Sequence, residues 1–186
     1  MRQKLWETHA HWWQKGFTDG ADAEYEEQIL PLAADLLTGF DRILDIGCGE
    51  GHVTRHLTTQ NSHVLGIDAA WAQIRVAAAR SNSNGYVRGS AEGLPFRNSV
   101  FDAAIACLVF EHIVELEAAI SEVARVLRPT GRFVLMLNHP LLQTPGSGWV
   151  DDHIANPPSQ YWRIGDYLVE QETIEEVEPG VHITFV

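Results

Sequence analysis

Hydrophobic and polar positions follow two rhythms along this chain. Short, nearly continuous apolar runs at 42–47 (RILDIG), 63–68 (HVLGID), 85–89 (GYVRG), 101–108 (FDAAIACL) and 132–138 (RFVLMLN) predict five strands buried on both faces, as in a parallel sheet. Between them apolar residues recur at helical spacing, which predicts helices over 51–60, 70–81 and 116–127. The last carries Leu116, Ala119, Ile120, Val123, Val126 and Leu127 on one face and is stopped by Pro129 and Gly131. Strand alternating with helix predicts an α/β fold, a doubly wound sheet with right-handed crossovers and helices on both faces.

The flanks follow other patterns. Residues 21–38 predict an amphipathic helix with Ile29, Leu30, Ala33, Leu36 and Leu37 inward, and Pro31 predicts a kink or a late start. Residues 1–15 predict a further helix whose Trp6, Trp12 and Trp13 need burial. After the fifth strand, the Pro- and Gly-rich stretch from His139 to Tyr167 predicts a long loop or lid. The acidic segment 166–180 predicts a solvated hairpin or helix face, and "GVHITFV" the start of a strand. That strand either docks as the last element or leaves the chain a fragment. The expected organisation is a core over 1–139, with 1–38 as its helical cover, followed by a lid or insert and an incomplete C-terminal segment over 140–186.

Composition narrows the class. At 186 residues with 45% apolar and 20% charged, the chain suits one domain with its own core. No run approaches the roughly 18 apolar residues of a membrane helix, and charges stand where a signal peptide would be apolar. The expectation is a cytoplasmic protein without a membrane partner. A net charge of -12 without a basic patch opposes nucleic acid. Cys48 and Cys107 lack metal-site spacing and are expected as buried small side chains. His52 and His56 stand four apart, but no third ligand is evident, so a solvated helix face is expected there and no metal site.

The chemistry begins at "DIGCGEG". Gly47, Gly49 and Gly51, between a buried strand and a helix start, let the backbone turn tightly and let a ligand touch the main chain, at the end of the sheet where such folds bind ligands. A nicotinamide fingerprint needs a third glycine where this chain has His52, so hydride transfer loses its main support. Asp68, ending the second strand, can accept two ribose hydroxyls beside the loop; it can equally cap the 70–81 helix.

Taken together and in order, "ILDIGCGEG", "GID", "GSAEGLPF", "FD" and "EVARVLRPTGRFVL" resemble the class I S-adenosylmethionine-dependent methyltransferases, nearest to the type 11 group that includes quinone C-methyltransferases. The resemblance spans roughly 40–140 and implies a Rossmann-like sheet with a 3-2-1-4-5 core. The family's sixth and seventh strands are missing or replaced here, which would leave the fifth strand as an exposed edge open to a homodimer. Asp45, Gly47, Cys48, Gly49 and Gly51 would surround the methionine part and ribose of S-adenosylmethionine; Asp68 would take the ribose hydroxyls and Ala69 would flank the adenine. The Ala91 N–H would meet an adenine nitrogen, and Ser90, with Glu92 nearby, stands where the family often has an acid. Cys107 and Leu108 would lie against the cofactor, and Glu111 and His112 would open the segment facing the substrate.

The implied activity is methyl transfer to a small-molecule acceptor by in-line displacement, leaving S-adenosylhomocysteine. The alternative is a non-catalytic cofactor-binding or partner-regulating module. His112 and His139 are the base candidates, because imidazole titrates near neutrality, and each can equally be a structural or lining residue. Trp12, Trp13, Phe17 and Tyr25 would cover the cofactor as a lid or pack in the core.

Overall fold

The computed structural model describes residues 3–17, 21–59, 62–81, 85–169 and 172–186. Its N-terminal helix α1 (Gln3–Gly16) is followed by a π-helical turn (Tyr25–Ile29) that runs into α2 (Leu30–Leu36). Alternating elements follow: β1 (Arg42–Ile46), α3 (His52–Leu57), β2 (His63–Asp68), α4 (Trp71–Arg80), β3 (Gly85–Arg88), β4 (Phe101–Cys107), α5 (Leu116–Val126) and β5 (Leu127–Met136). The five strands form one parallel sheet in the order β3-β2-β1-β4-β5. This is the doubly wound core that the apolar runs predict.

The two faces separate by strand alternation. Ile43, Ala103, Ile105, Cys107 and Val134 pack with Leu30 and Ala33 of α2 and Val53 and Leu57 of α3. Leu44, Ile46, Ile67, Ala104 and Ala106 turn the other way, against Ala119, Val123 and Val126 of α5. Burying each of those two valines contributes about 1.5–3 kcal/mol. The alanines of β4 let helices from both sides approach the sheet closely.

Pro31 stands in the first turn of α2, where a missing N–H is tolerated, and the helical irregularity lies just before it, in the wide turn around the buried Tyr25. The fifth strand begins at Leu127 rather than at residue 132, and ends at Met136 rather than at 138. Phe101 pairs with Leu127 and Ala103 with Arg132, so Pro129 and Gly131 fall in an irregularity of the ladder that tolerates both. Thr130, at φ 69°, turns the chain there.

Past the sheet come α6 (Pro140–Gln143) and two antiparallel hairpins, β6 (Gly148–Asp152) with β7 (Ser159–Arg163), and β8 (Thr173–Glu178) with β9 (Val181–Phe185). The region read as a long loop thus contains a hairpin. Neither hairpin joins the central sheet, so among the described residues β5 is an edge, with Leu135 exposed on it and Leu137 exposed just beyond it. Within the acidic segment, residues 170–171 lie outside the described residues, and Thr173–Glu178 form the mostly exposed strand of the second hairpin, as expected. Its other strand, β9, docks against α1 and the turn after β4, burying Ile183 and Thr184, and Val186 N donates to Glu111 O at 2.9 Å. Among the described residues no helix is long and apolar enough to cross a membrane.

Candidate functional site

At the carboxyl end of the sheet a cavity of about 670 Å³ opens between the loop after β1, the ends of β2 and β4, α1 and β9. Gly47, Gly49 and Gly51 all have positive φ, at 70°, 53° and 84°. Their surroundings differ. A Cβ on Gly47 would lie 2.3 Å from the Val109 side chain, and one on Gly51 would lie 2.5 Å from the Tyr86 hydroxyl. Only Gly49 has open space, its nearest neighbours being Trp13 Nε1 at 3.9 Å and Gln73 Nε2 at 4.0 Å. Gly47 and Gly49 line the cavity, and Gly51 does not. The third glycine therefore makes room for a tyrosine rather than for a ligand.

Asp68 lies against this loop. Its Oδ2 accepts from Gly49 N at 2.9 Å and its Oδ1 from Ala70 N at 2.7 Å. Each oxygen keeps a further lone pair, and Asp68 and Ala69 both face the cavity. The first turn of α4 is capped from elsewhere: Glu7 of α1 accepts from Trp71 N at 2.6 Å and Ala72 N at 3.1 Å. A carboxylate there complements the positive end of the helix. The helix-capping role open to Asp68 is filled largely by a residue 64 positions earlier.

Ser90, Ala91 and Glu92 form the next wall. Ser90 Oγ donates to Glu92 Oε2 at 3.1 Å and accepts from Glu92 N at 3.3 Å, so serine and glutamate act as one unit. The loop carrying them is fastened by α5: Arg125 donates to the carbonyls of Leu94 at 2.9 Å and Phe96 at 2.8 Å, and Glu122 accepts from Leu94 N at 2.7 Å. The apolar face of this helix gave no hint of that fastening, since Glu122 and Arg125 stand among its polar positions.

Beyond β4, Leu108 adopts φ 55°, the left-handed region that a side chain disfavours, and it lines the cavity with Cys107. His112 sits in a 3₁₀ turn and shares a 2.6 Å bond between its Nδ1 and the Thr184 carbonyl. A carbonyl only accepts, so Nδ1 carries the proton and the neutral ring presents Nε2 as an acceptor. Burial lowers the pKa of this imidazole, which favours the neutral form. Glu111 is buried but does not line the cavity. His139 lies outside it too: its Nδ1 accepts from Leu141 N at 3.3 Å at the start of α6, and its ring stacks on Tyr167. Of the two base candidates the fold brings one to the site.

The N-terminal aromatics serve both roles open to them. Trp6, Trp13, Phe17 and Tyr25 line the cavity, and Trp13 and Tyr25 also pack against the core. Trp12 meets Trp13 and Phe17 edge-on without lining it. His52 overturns the expectation of a solvated face: it is half-buried, lines the cavity, stacks on Tyr25 and meets Glu26 through Nε2 at 3.2 Å. His56, one turn on, is exposed. Nothing in the local spacing distinguished the two, because the difference is made by Tyr25, which the π-helical turn presents.

The acidic groups near the loop are constrained. Glu50, buried, is paired with Arg55 at 2.8 Å and Arg80 at 2.5 Å and ties α3 to α4. Asp45 accepts from Thr54 Oγ1 at 2.5 Å. Burial pushes its carboxyl up to about 7, with that hydrogen bond opposing the shift. Its unfolded value is about 3.9. Folding therefore takes up a proton, and the stability this adds is complete below the unfolded value and lost as pH rises through 7. Urea unfolding is expected to show the wild type losing roughly 4 kcal/mol relative to Asp45→Asn between pH 4 and 8; a constant difference would mean that the carboxylate stays ionised in the fold. Burial also raises the pKa of both thiols, Cys107 to about 12, so neither is a nucleophile at neutral pH.

Residues 44–135 match the methyltransferase domain family. An uncharacterized methyltransferase, YcgJ of Bacillus subtilis, is 34% identical over 128 residues, 66% of this chain and 49% of the relative. A ubiquinone biosynthesis O-methyltransferase of Rhizobium johnstonii is 29% identical over 161 residues, 83% of this chain and 64% of the relative. The crystal structure of an S-adenosylmethionine-dependent methyltransferase from Mesorhizobium loti superposes with a TM-score of 0.67 at 27% identity, covering 84% of this chain and 73% of that one. The chain spans about half to two thirds of the length of these two curated relatives.

Proposed function

The chain belongs to the class I, type 11 methyltransferase family, and from that premise we propose that it transfers a methyl group from S-adenosylmethionine to a small-molecule acceptor. The observation that carries this reading is Asp68: a half-buried carboxylate that lines the cavity and is braced by the Gly49 and Ala70 amides. The cavity's volume lies in the range of small-molecule sites.

The lining residues fit the cofactor. Asp68 would accept the ribose hydroxyls, and Ala69, Ser90, Ala91 and Glu92 would border the adenine. Gly47, Gly49, Cys48, Cys107 and Leu108 would hold the methionine part, with Asp45 beneath. When bound, S-adenosylmethionine supplies an electrophilic methyl group on a sulfonium. The protein's part is then alignment and exclusion of water. Trp6, Trp13, Phe17 and Tyr25 provide an apolar cover, latched to α4 through Glu7. His112 Nε2 provides a proton acceptor for a proton-bearing nucleophile, and its tautomer is set by Thr184 O.

Calorimetric titration of S-adenosylhomocysteine into the purified protein tests the reading. Micromolar affinity, about -8 kcal/mol, is expected. Correctly folded protein that takes up neither this ligand nor S-adenosylmethionine would defeat it.

A further inference from the structure

The cavity is lined by acidic and not by basic side chains. Among the described lining residues there is no lysine or arginine, while five are acidic: Asp45, Glu50, Asp68, Glu92 and Glu115. Four have partners already: Thr54 for Asp45, two arginines for Glu50, backbone amides for Asp68 and Ser90 for Glu92. Glu115 differs. It stands exposed where the cavity opens, at the head of α5, makes no capping bond, and its carboxylate has no ion pair or hydrogen bond among the described residues.

Two neighbours extend this pattern. The Trp6 ring lies 4.9 Å from the His112 ring and 5.7 Å from that of Trp13, and indole faces attract cations. Thr184, only 5% exposed, lines the cavity with its hydroxyl unpartnered, which leaves a buried oxygen able to accept an N–H. An acceptor bearing a carboxylate or phosphate would find no lysine or arginine to pair with among the described lining residues.

From this arrangement we infer that the methyl acceptor is an amine that enters as its ammonium, held between the Glu115 carboxylate and the Trp6 indole with an N–H on Thr184 Oγ1. The inference rests on the methyl-transfer reading of the same cavity. The ammonium gives one proton to His112 Nε2, which returns it to solvent. The freed nitrogen lone pair forms the N–C bond, and the electrons of the breaking S–C bond stay on sulfur, leaving an uncharged thioether. Positive charge thus moves from sulfur to nitrogen instead of vanishing, so the Glu115 carboxylate stabilises it throughout. With a phenolate nucleophile the two charges would cancel, and that carboxylate would not favour the transition state over the ground state.

The test uses protein saturated with S-adenosylhomocysteine and three probes of similar shape: 2-phenylethylamine, 2-phenylethanol and phenylacetate. Calorimetry is expected to show the amine binding about tenfold tighter than the alcohol, with no measurable binding of the acid. Glu115→Gln, a change at an exposed position, is expected to weaken the amine about fivefold and leave the alcohol unaltered. Equal affinities, binding of none of the three, tighter binding of phenylacetate, or equal loss of amine and alcohol in the variant would overturn the inference. Failure of S-adenosylhomocysteine itself to bind would instead remove the methyl-transfer reading beneath it.

Discussion

Asp68→Ala is expected to weaken S-adenosylhomocysteine binding by about 100-fold or more, beyond the reach of a micromolar titration. Two hydrogen bonds from ribose hydroxyls to a carboxylate are worth about 1.5–3 kcal/mol each, and every 1.4 kcal/mol is tenfold. Alanine also removes the acceptor of Gly49 N, the amide of the one loop glycine with open space before it. Asp68→Asn is expected to fail nearly as badly, since its amide nitrogen would face either the Gly49 or the Ala70 N–H, donor against donor. Circular dichroism and a thermal melt establish that each variant is folded. Binding by folded Asp68→Ala within threefold of wild type would show that this carboxylate holds the loop and not the ligand.

Gly47→Ala is expected to cost stability rather than affinity in the first instance. A φ of 70° costs a side chain about 1–2 kcal/mol. The new methyl would also stand 2.3 Å and 2.6 Å from the two Val109 methyls, an overpacking worth about 1–3 kcal/mol. Together these predict a melting temperature lower by roughly 5–15 °C for a chain of this size. Gly49→Ala separates the roles of the loop glycines: it carries the backbone strain alone, about 1–2 kcal/mol, but points its methyl into open space, so affinity should fall further than stability. Melting of Gly47→Ala within 2 °C of wild type would mean that Val109 yields and that the loop is softer than its packing suggests.

Much of the site was legible in the sequence because it is local. A strand running into closely spaced glycines specifies a turn with positive φ wherever it folds, and the acid ending the next strand is delivered beside it by parallel register, Asp45 opposite Gly66 and Ile46 opposite Ile67. Cys107 and Leu108 follow for the same reason, as the end of the strand on the other side of β1. The hairpin over 148–163 was missed because its turn-forming residues suggest a loop, and pairing between Trp149 and Trp162 has no local signature. Pro129 and Gly131 misplaced the start of β5, since breakers end a strand only where the ladder needs every residue.

What the sequence alone determined is the order of strands and helices through the central sheet, the glycine loop and the carboxylate that faces it. All of these follow from apolar periodicity and backbone sterics over a few residues. Tertiary structure decided the rest: that Glu7 caps α4, that Gly51 serves Tyr86, that His52 turns inward while His56 does not, and that β9 comes back to fix the tautomer of His112. Each of these depends on groups brought together from distant parts of the chain. Such meetings are set by how whole elements pack, and no short stretch of sequence contains that information.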